Sequence, residues 1–420
     1  MNKLRIISQR NKNQHLLLIT LIVYIATSFF SMFTNYSNYI MVPIVFLWVP
    51  VIINEYSHLQ TNERAFVAVS LLYLVVIFGY QFLGISKNPF GWQLRYFNWA
   101  VSGVMSVVAL HLLSRRSLSF LFQVFTVILF ILLFVLIRSG VSLLLIEESN
   151  EAVSVATTFI GSIYMLISGF GLIIILHIHS FIPRVLATLM LIATLYFNFF
   201  IMQRGTNVIF TIGELSLIMI FTIKQRWLLS FLAIVVSFAT VFIYASDLYL
   251  DLFDWLASVM PSERVARRIE EISFALQYEA IEAGGGSFAA RADLMSVSWN
   301  TFTSTFTNFL FGVGSNRMEN SIIGNHSYFI DTLASYGILG GVLTYKYFKG
   351  QYQIMKKYIS SRSGKVLFAQ CVTVFGFYIL RNFYGHMDFT NVNLVILLYF
   401  PLVIEFINEN VSNHHKKVKL

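Results

Sequence analysis

Apolar residues run along this chain in long blocks, and they do not alternate with polar ones. Blocks of about 20 residues, the length that crosses a bilayer as a helix, recur from one end to the other. Barrel strands would instead show roughly 10-residue alternating segments. In lipid the backbone must satisfy its own hydrogen bonds, so blocks this long predict helices. About twelve spans are predicted at the bilayer-crossing length. They are Leu16–Phe33, Tyr39–Ile53, Ala65–Leu83, Phe97–Leu113, Leu118–Ile137, Val155–Ile178, Val185–Met202, Val208–Ile223, Leu228–Ala245, His326–Phe348, Val366–Phe383 and Val392–Ile407. The first follows a basic tail and is long enough to cross, so it reads as a span that stays rather than a cleaved leader.

Composition agrees with this pattern. Of 420 residues, 57% are hydrophobic and 12% charged, and the mean hydropathy is +0.71. Too few charged residues are present to clothe a soluble domain, so the reading is an all-α polytopic membrane protein. The net charge of +9 does not suggest nucleic acid, because the basic residues gather in short loops. They are Lys3, Arg5, Arg10 and Lys12 in the tail, Arg115 and Arg116, Lys224 and Arg226, Lys346 to Lys365, and Lys416, Lys417 and Lys419 at the end. With twelve spans all of these fall on one face, which the positive-inside rule makes cytoplasmic, with both termini there. The single cysteine, Cys371, lies in an apolar block and can build neither a disulfide framework nor a thiolate metal site.

The opposite face then carries one large loop, 246–325, inserted between spans nine and ten of a single membrane domain over 1–420. Pro261 suits a first helical turn. Val265, Ile269, Ile272 and Leu276 then recur at helical spacing, an apolar stripe that predicts an amphipathic cap helix. It ends at the hinge Gly284-Gly285-Gly286, and a second helix begins near Ser287 and carries Arg291. Asp247, Asp251 and Asp254 share one helical face, either as the wet side of an amphipathic turn or as a divalent-cation site. Gly312 and Gly314 read as a turn. His326, at the start of span ten, is either a polar helix start or a general base, for which its ordinary pKa near 6.5 suits it. Asp331 lies deeper, and Ser327, Asp331 and Ser335 form a stripe, either a buried hydrogen-bond network or a cavity lining. Arg204, in Gln203-Arg204-Gly205-Thr206, sits on the side where the positive-inside rule least expects an arginine. Arg381, His386 and Asp388 share the last outer loop.

In this order the pieces resemble the O-antigen polymerase and O-antigen ligase superfamily of bacterial membrane enzymes. The resemblance is carried by Gln203-Arg204-Gly205-Thr206, Arg291 in a late outer loop, Phe311-Gly312-Val313-Gly314, Asn325-His326-Ser327-Tyr328 and Tyr336-Gly337-Ile338-Leu339-Gly340. It covers Arg204 to Gly341; the N-terminal half matches as membrane topology only. The chain departs from the family in Gln203, where serine is commoner, and in lacking a proline before the glycine turn.

The resemblance implies a fold like the GT-C membrane glycosyltransferases, in the bacterial cytoplasmic (inner) membrane. It implies a metal-independent, cofactor-free glycosyltransferase that polymerises undecaprenyl-pyrophosphate-linked repeat units into surface polysaccharide. His326 would be the catalytic base. Arg204 and Arg291 would hold the pyrophosphate, and Asp331, Tyr328, Asn325 and Arg381 would stand around them. Partners would be the lipid-linked oligosaccharides, the bilayer and a chain-length regulator, with no nucleic acid. The alternatives are the ligase of the same superfamily, which transfers the glycan to lipid A core, and a lipid-linked oligosaccharide flippase. A flippase would carry charged groups through the midplane of several spans. Here they gather at the outer rim and only Asp331 goes deeper, and Thr34–Asn38 holds no acid of the kind that metal-dependent oligosaccharide transfer uses.

Overall fold

The computed structural model describes residues 2–30, 37–87, 90–145, 150–178, 180–196, 205–222, 255, 258–259, 287–315, 323–324, 327–359, 364–383 and 389–408. Among the described residues there are helices and no strand. The helices are α1 (Asn2–Phe30), α2 (Ser37–Tyr56), α3 (Thr61–Phe82), α4 (Phe90–Leu112), α5 (Arg115–Leu145), α6 (Asn150–His177), α7 (Phe181–Tyr196) and α8 (Gly205–Thr222), then α9 (Ser287–Thr303), α10 (Phe306–Phe311), α11 (Tyr328–Ile359), α12 (Lys365–Phe383) and α13 (Phe389–Leu394). The last passes through a π-helical segment, Val395–Tyr399, and continues as helix over 400–408. Each predicted span overlaps one of these helices except Leu228–Ala245, which lies outside the described residues. So do the triplet Asp247, Asp251 and Asp254, the cap helix predicted over Val265–Leu276, and Gly284-Gly285-Gly286. Among the described residues, Thr61–Phe82, Arg115–Val135 and Lys365–Phe383 are long and apolar enough to cross a membrane by length and composition. The chain has the make-up of a helical membrane protein.

Helices that pack in lipid gain little from apolar burial alone; close packing and interhelical hydrogen bonds hold them. Both are present here. Tyr73, Trp99, Tyr347 and Phe66 interlock across α3, α4 and α11, with ring centroids 4.6 Å apart for Trp99 and Tyr347 and 5.1 Å for Phe66 and Tyr347. Beside them Asn393 is a hub. Its Oδ1 accepts from Tyr347 Oη at 2.6 Å and Gln351 Nε2 at 3.0 Å, and its Nδ2 donates to the Trp99 carbonyl at 2.8 Å. At the far end Lys357 Nζ meets the buried Glu63 carboxylate at 2.7 Å, and Glu63 also accepts the Gln60 backbone N–H at 2.9 Å. α11 is thereby pinned to the start of α3.

The predicted span His326–Phe348 is not one straight helix. Helix α11 is broken at Gly337, whose φ of +62° and ψ of −158° are not helical. The segment 328–336 folds back on 338–359. Tyr328 Oη and Thr344 Oγ1 each lie 3.0 Å from Tyr73 Oη, although 16 positions separate them in sequence. Phe329 stacks on Phe348 at 5.1 Å. Two glycines in the second arm make the fold-back tight: a Cβ on Gly340 would lie 3.0 Å from the Thr332 carbonyl, and one on Gly341 2.6 Å from Leu333. The short arm therefore rises beside α3, from Tyr328 level with Tyr73 to Tyr336 packed edge-on against Tyr80 at 5.3 Å. Tyr73 is nine residues before Phe82, so the arm begins about 13 Å below the C-terminal end of α3.

The break contrasts with Gly376 in α12, which has helical geometry and open space where an alanine methyl group would stand. Gly337→Ala forces an L-residue into a glycine-only region and drives a Cβ into the Leu310–Phe311 backbone, which costs about 3 kcal/mol or more. Gly376→Ala relieves a helix-interior glycine and stabilises by about 1 kcal/mol. Thermal unfolding of the two variants in detergent reads this directly; melting shifts of the same sign would contradict the assigned break.

Candidate functional site

The start of the short arm is fastened to α9 by one serine. Ser298, fully buried, donates from Oγ to Asp331 Oδ1 at 2.6 Å and accepts the Gly324 backbone N–H at 2.8 Å. The other carboxylate oxygen of Asp331 accepts the Ser327 N–H at 2.9 Å. Ser327 is the N-cap of α11, its Oγ accepting the Ile330 N–H at 3.4 Å. A carboxylate one turn into a helix that reaches back to the cap N–H works like the acidic half of a capping box, and its charge also suits the helix N-terminus. Gly324 lies so close to α9 that a Cβ there would overlap the Leu294 backbone. Gly324, on one side of Asn325-His326, is thus held against α9, and Ser327, on the other, is tied to Asp331, which bonds α9 through Ser298. Arg291 belongs to that same helix, three residues before Leu294.

A second junction holds the top of the arm. After α10 the chain turns through Gly312 and Gly314, with φ of +72° and +78°, as the glycine spacing predicts. The N–H of Val313 donates to the Ala334 carbonyl at 2.9 Å and that of Gly314 to the Ser335 carbonyl at 2.8 Å. These are carbonyls that the interrupted helix leaves without its own donors. Gly312 abuts the Ser335–Tyr336 peptide, and Gly337 abuts Leu310–Phe311, so backbone packs on backbone with no room for a side chain on either. The end of α3 closes the junction: Tyr80 Oη donates to the Phe311 carbonyl at 2.5 Å, and Ser86 Oγ accepts the Ser315 N–H at 2.9 Å.

Two further helix ends reach the same region. Phe383, in the last turn of α12, stacks on Phe329 at 4.3 Å and 11°. Arg381 lies in that turn, within the predicted span Val366–Phe383 and not in the outer loop predicted to hold it with His386 and Asp388; it is buried at the helix end. A cation in a last turn complements the helix dipole there. His386 and Asp388 lie outside the described residues. Helix α8 runs antiparallel to α12: Thr222 pairs with Gln370 at 2.9 Å, and Phe210 meets Phe377 edge-on at 6.1 Å. Extending that register brings Gly205, the first residue of α8, level with the end of α12.

The structure therefore brings together α9 with Arg291, the flanks of Asn325-His326, the start of α11 and the end of α12 with Arg381. His326, Asn325 and Arg204 lie outside the described residues. Tyr328 turns into the core, where its hydroxyl meets that of Tyr73. Asp331 faces α9, as one member of a half-buried hydrogen-bond network. Among residues that sequence reasoning passed over, Ser298 is the junction itself, and nothing marks it within a run of serines and threonines. Glu214 is another. It is fully buried in α8, neither carboxyl oxygen has a hydrogen-bond partner among the described residues, and Gly169 makes room for it, so Asp331 is not alone in lying away from the rim. Here a signal did exist: it is the one acid in an otherwise uncharged apolar block. It stands nine residues along α8 from Gly205, away from the junction.

No protein-family model matches the chain, and no curated protein matches it.

Ser298→Ala removes both a donor and an acceptor at a buried site. It lowers stability by about 2 kcal/mol, while Ser298→Thr, which keeps the hydroxyl, loses less. Differential scanning of the purified variants checks the ranking, and an alanine variant as stable as wild type would dissolve the assigned junction.

Proposed function

We propose that the chain polymerises lipid-linked oligosaccharide repeat units by metal-independent glycosyl transfer on the outer face of the bacterial cytoplasmic membrane. On this reading it has about twelve spans of bilayer length, both termini in the cytoplasm and a GT-C-like fold. The observation that carries the reading is the Ser298–Asp331–Gly324 junction, because it fastens the helix of Arg291 to the chain flanking His326. That join supports the reading because positioning catalysis needs its groups held on a common frame.

The chemistry is a single displacement. An acceptor hydroxyl attacks the anomeric carbon of the donor, forming a C–O bond as the C–O bond to pyrophosphate breaks. The leaving pyrophosphate departs with the bonding electron pair, and inversion follows from attack opposite it. His326 takes the hydroxyl proton. Arg204 and Arg291 neutralise the charge that grows on the pyrophosphate, through forked, charge-assisted hydrogen bonds. The donor is an undecaprenyl-pyrophosphate glycan, and the lipid chain reaches the site laterally between helices. A chain-length regulator is the expected protein partner.

Replacing His326 with alanine in a strain that makes the glycan separates the readings. A polymerase that uses His326 leaves single repeat units on the surface, resolved by gel electrophoresis of the extracted glycan. Polymer still on its carrier lipid would instead indicate a ligase. Loss of surface units with lipid-linked units retained inside would indicate a flippase. Long chains of normal distribution would remove His326 from the mechanism.

A further inference from the structure

The stretch from Leu294 to Asn316 contains no charged residue, although it belongs to the most polar part of the chain. Its polar members are serine, threonine and asparagine; its large members are aromatic or aliphatic. In the fold these large side chains are not gathered into a core. Phe306 is 76% exposed, and Trp299, Phe309 and Phe311 are exposed as well. Trp299 and Phe309 both pack on the buried Phe302, with centroids 5.6 and 5.1 Å apart, so these two exposed rings border one surface, and Phe306 stands one helical turn before Phe309 on α10.

That surface abuts the end of α3. The Tyr80 hydroxyl donates to the Phe311 carbonyl, and Gly314 lies against Ile85. Beside this contact Phe82 is 92% exposed, with Leu83 and Ile85 exposed next to it. They extend a stripe of exposed apolar residues on one side of α3: Leu71, Leu72 and Val75. Since α3 is one of the helices long and apolar enough to cross a membrane, its exposed stripe is a lipid-facing surface. The rings of α10 continue that surface past the helix end.

We propose that α10, together with the C-terminal end of α3, is a lipid-binding edge that inserts its rings into the bilayer leaflet from which α3 emerges. The chemistry fits a leaflet's interfacial zone. Aromatic rings favour that depth, and hydroxyl and amide groups between them bond the headgroup region. The absence of charge removes the main cost of entering it. Insertion would moor the glycine turn, and through it the break in α11, to the membrane plane. This rests on the membrane reading of α3 and not on glycosyl transfer.

Cysteine variants of the full chain at Phe306, Phe82 and Val75, labelled with bimane, test it in phosphatidylcholine nanodiscs made with or without acyl chains brominated near the headgroup. The native thiol, Cys371, is enclosed in the core and leaves the wild type as the unlabelled control. The expected result is loss of fluorescence at 306 and 82 in brominated lipid, with both labels shielded from aqueous iodide. Quenching of 306 by iodide alone, while 75 responds to lipid, would overturn the proposal and leave the membrane reading intact. If added oligosaccharide then shields 306 from iodide, the edge is a glycan platform and the lipid assignment is wrong. Lipid-insensitive labels at both 75 and 306 would overturn the proposal along with the membrane reading.

Discussion

The structure depends on an exchange of backbone hydrogen bonds at the break in α11. A helix interrupted away from water leaves carbonyls that must find donors elsewhere, and each one left bare costs several kcal/mol. Here Val313 and Gly314 supply the N–H groups for Ala334 and Ser335. Donors on a neighbouring backbone reach only if the two chains touch. Gly312 and Gly337 make that possible, each abutting the other's chain segment where a Cβ would intrude. With this exchange in place the short arm can reverse, Tyr328 can reach Tyr73, and the chain before it can meet α9. Without it, 328–359 would be one rod, and the residues flanking Asn325-His326 would lie beyond the end of α3.

Asp331 and Glu214, two of the acids along these helices, show how differently polarity is handled. Asp331 is bonded on both oxygens, to a serine hydroxyl and to a cap N–H, and so acts as mortar between two helices and a loop. Glu214 has neither kind of partner and is accommodated by the missing side chain of Gly169. Asn393 resembles Asp331: a single amide joins α4, α11 and α13 and is satisfied on both its atoms. In a medium where apolar surfaces do not drive helices together, such satisfied polar hubs supply the specificity that close packing alone leaves loose.

Most of the helices were legible because uninterrupted apolar blocks have only one way to satisfy a backbone in lipid. The turn at Gly312 and Gly314 was legible too, since both positions adopt positive φ, where glycine is favoured. The reversal at Gly337 was not. Tyr336-Gly337-Ile338-Leu339 reads as ordinary apolar helix, and the donors that permit the break sit more than 20 positions earlier, at Val313 and Gly314. Arg381 reads as outer-loop polarity beside His386 and Asp388, although the predicted span Val366–Phe383 contains it, and the helix does run through Phe383. Of the candidate site, the residue types were readable and their connection was not. Ser298 is indistinguishable in sequence from Ser296 or Ser304, and its importance comes wholly from what Asp331 and Gly324 present to it.

This bears on what a site at this junction can be. Gly324 is anchored by a hydrogen bond to the buried Ser298 and Ser327 by one to the half-buried Asp331, and those two groups bond each other. The anchors form one connected circuit, so neither Gly324 nor Ser327 can shift without breaking one of its bonds. The cost is that the circuit couples the loop to α9: displacing the helix of Arg291 must disturb Gly324 as well. Motion of that helix passes to Gly324 through one hydrogen bond and to Ser327 through two, by way of Asp331.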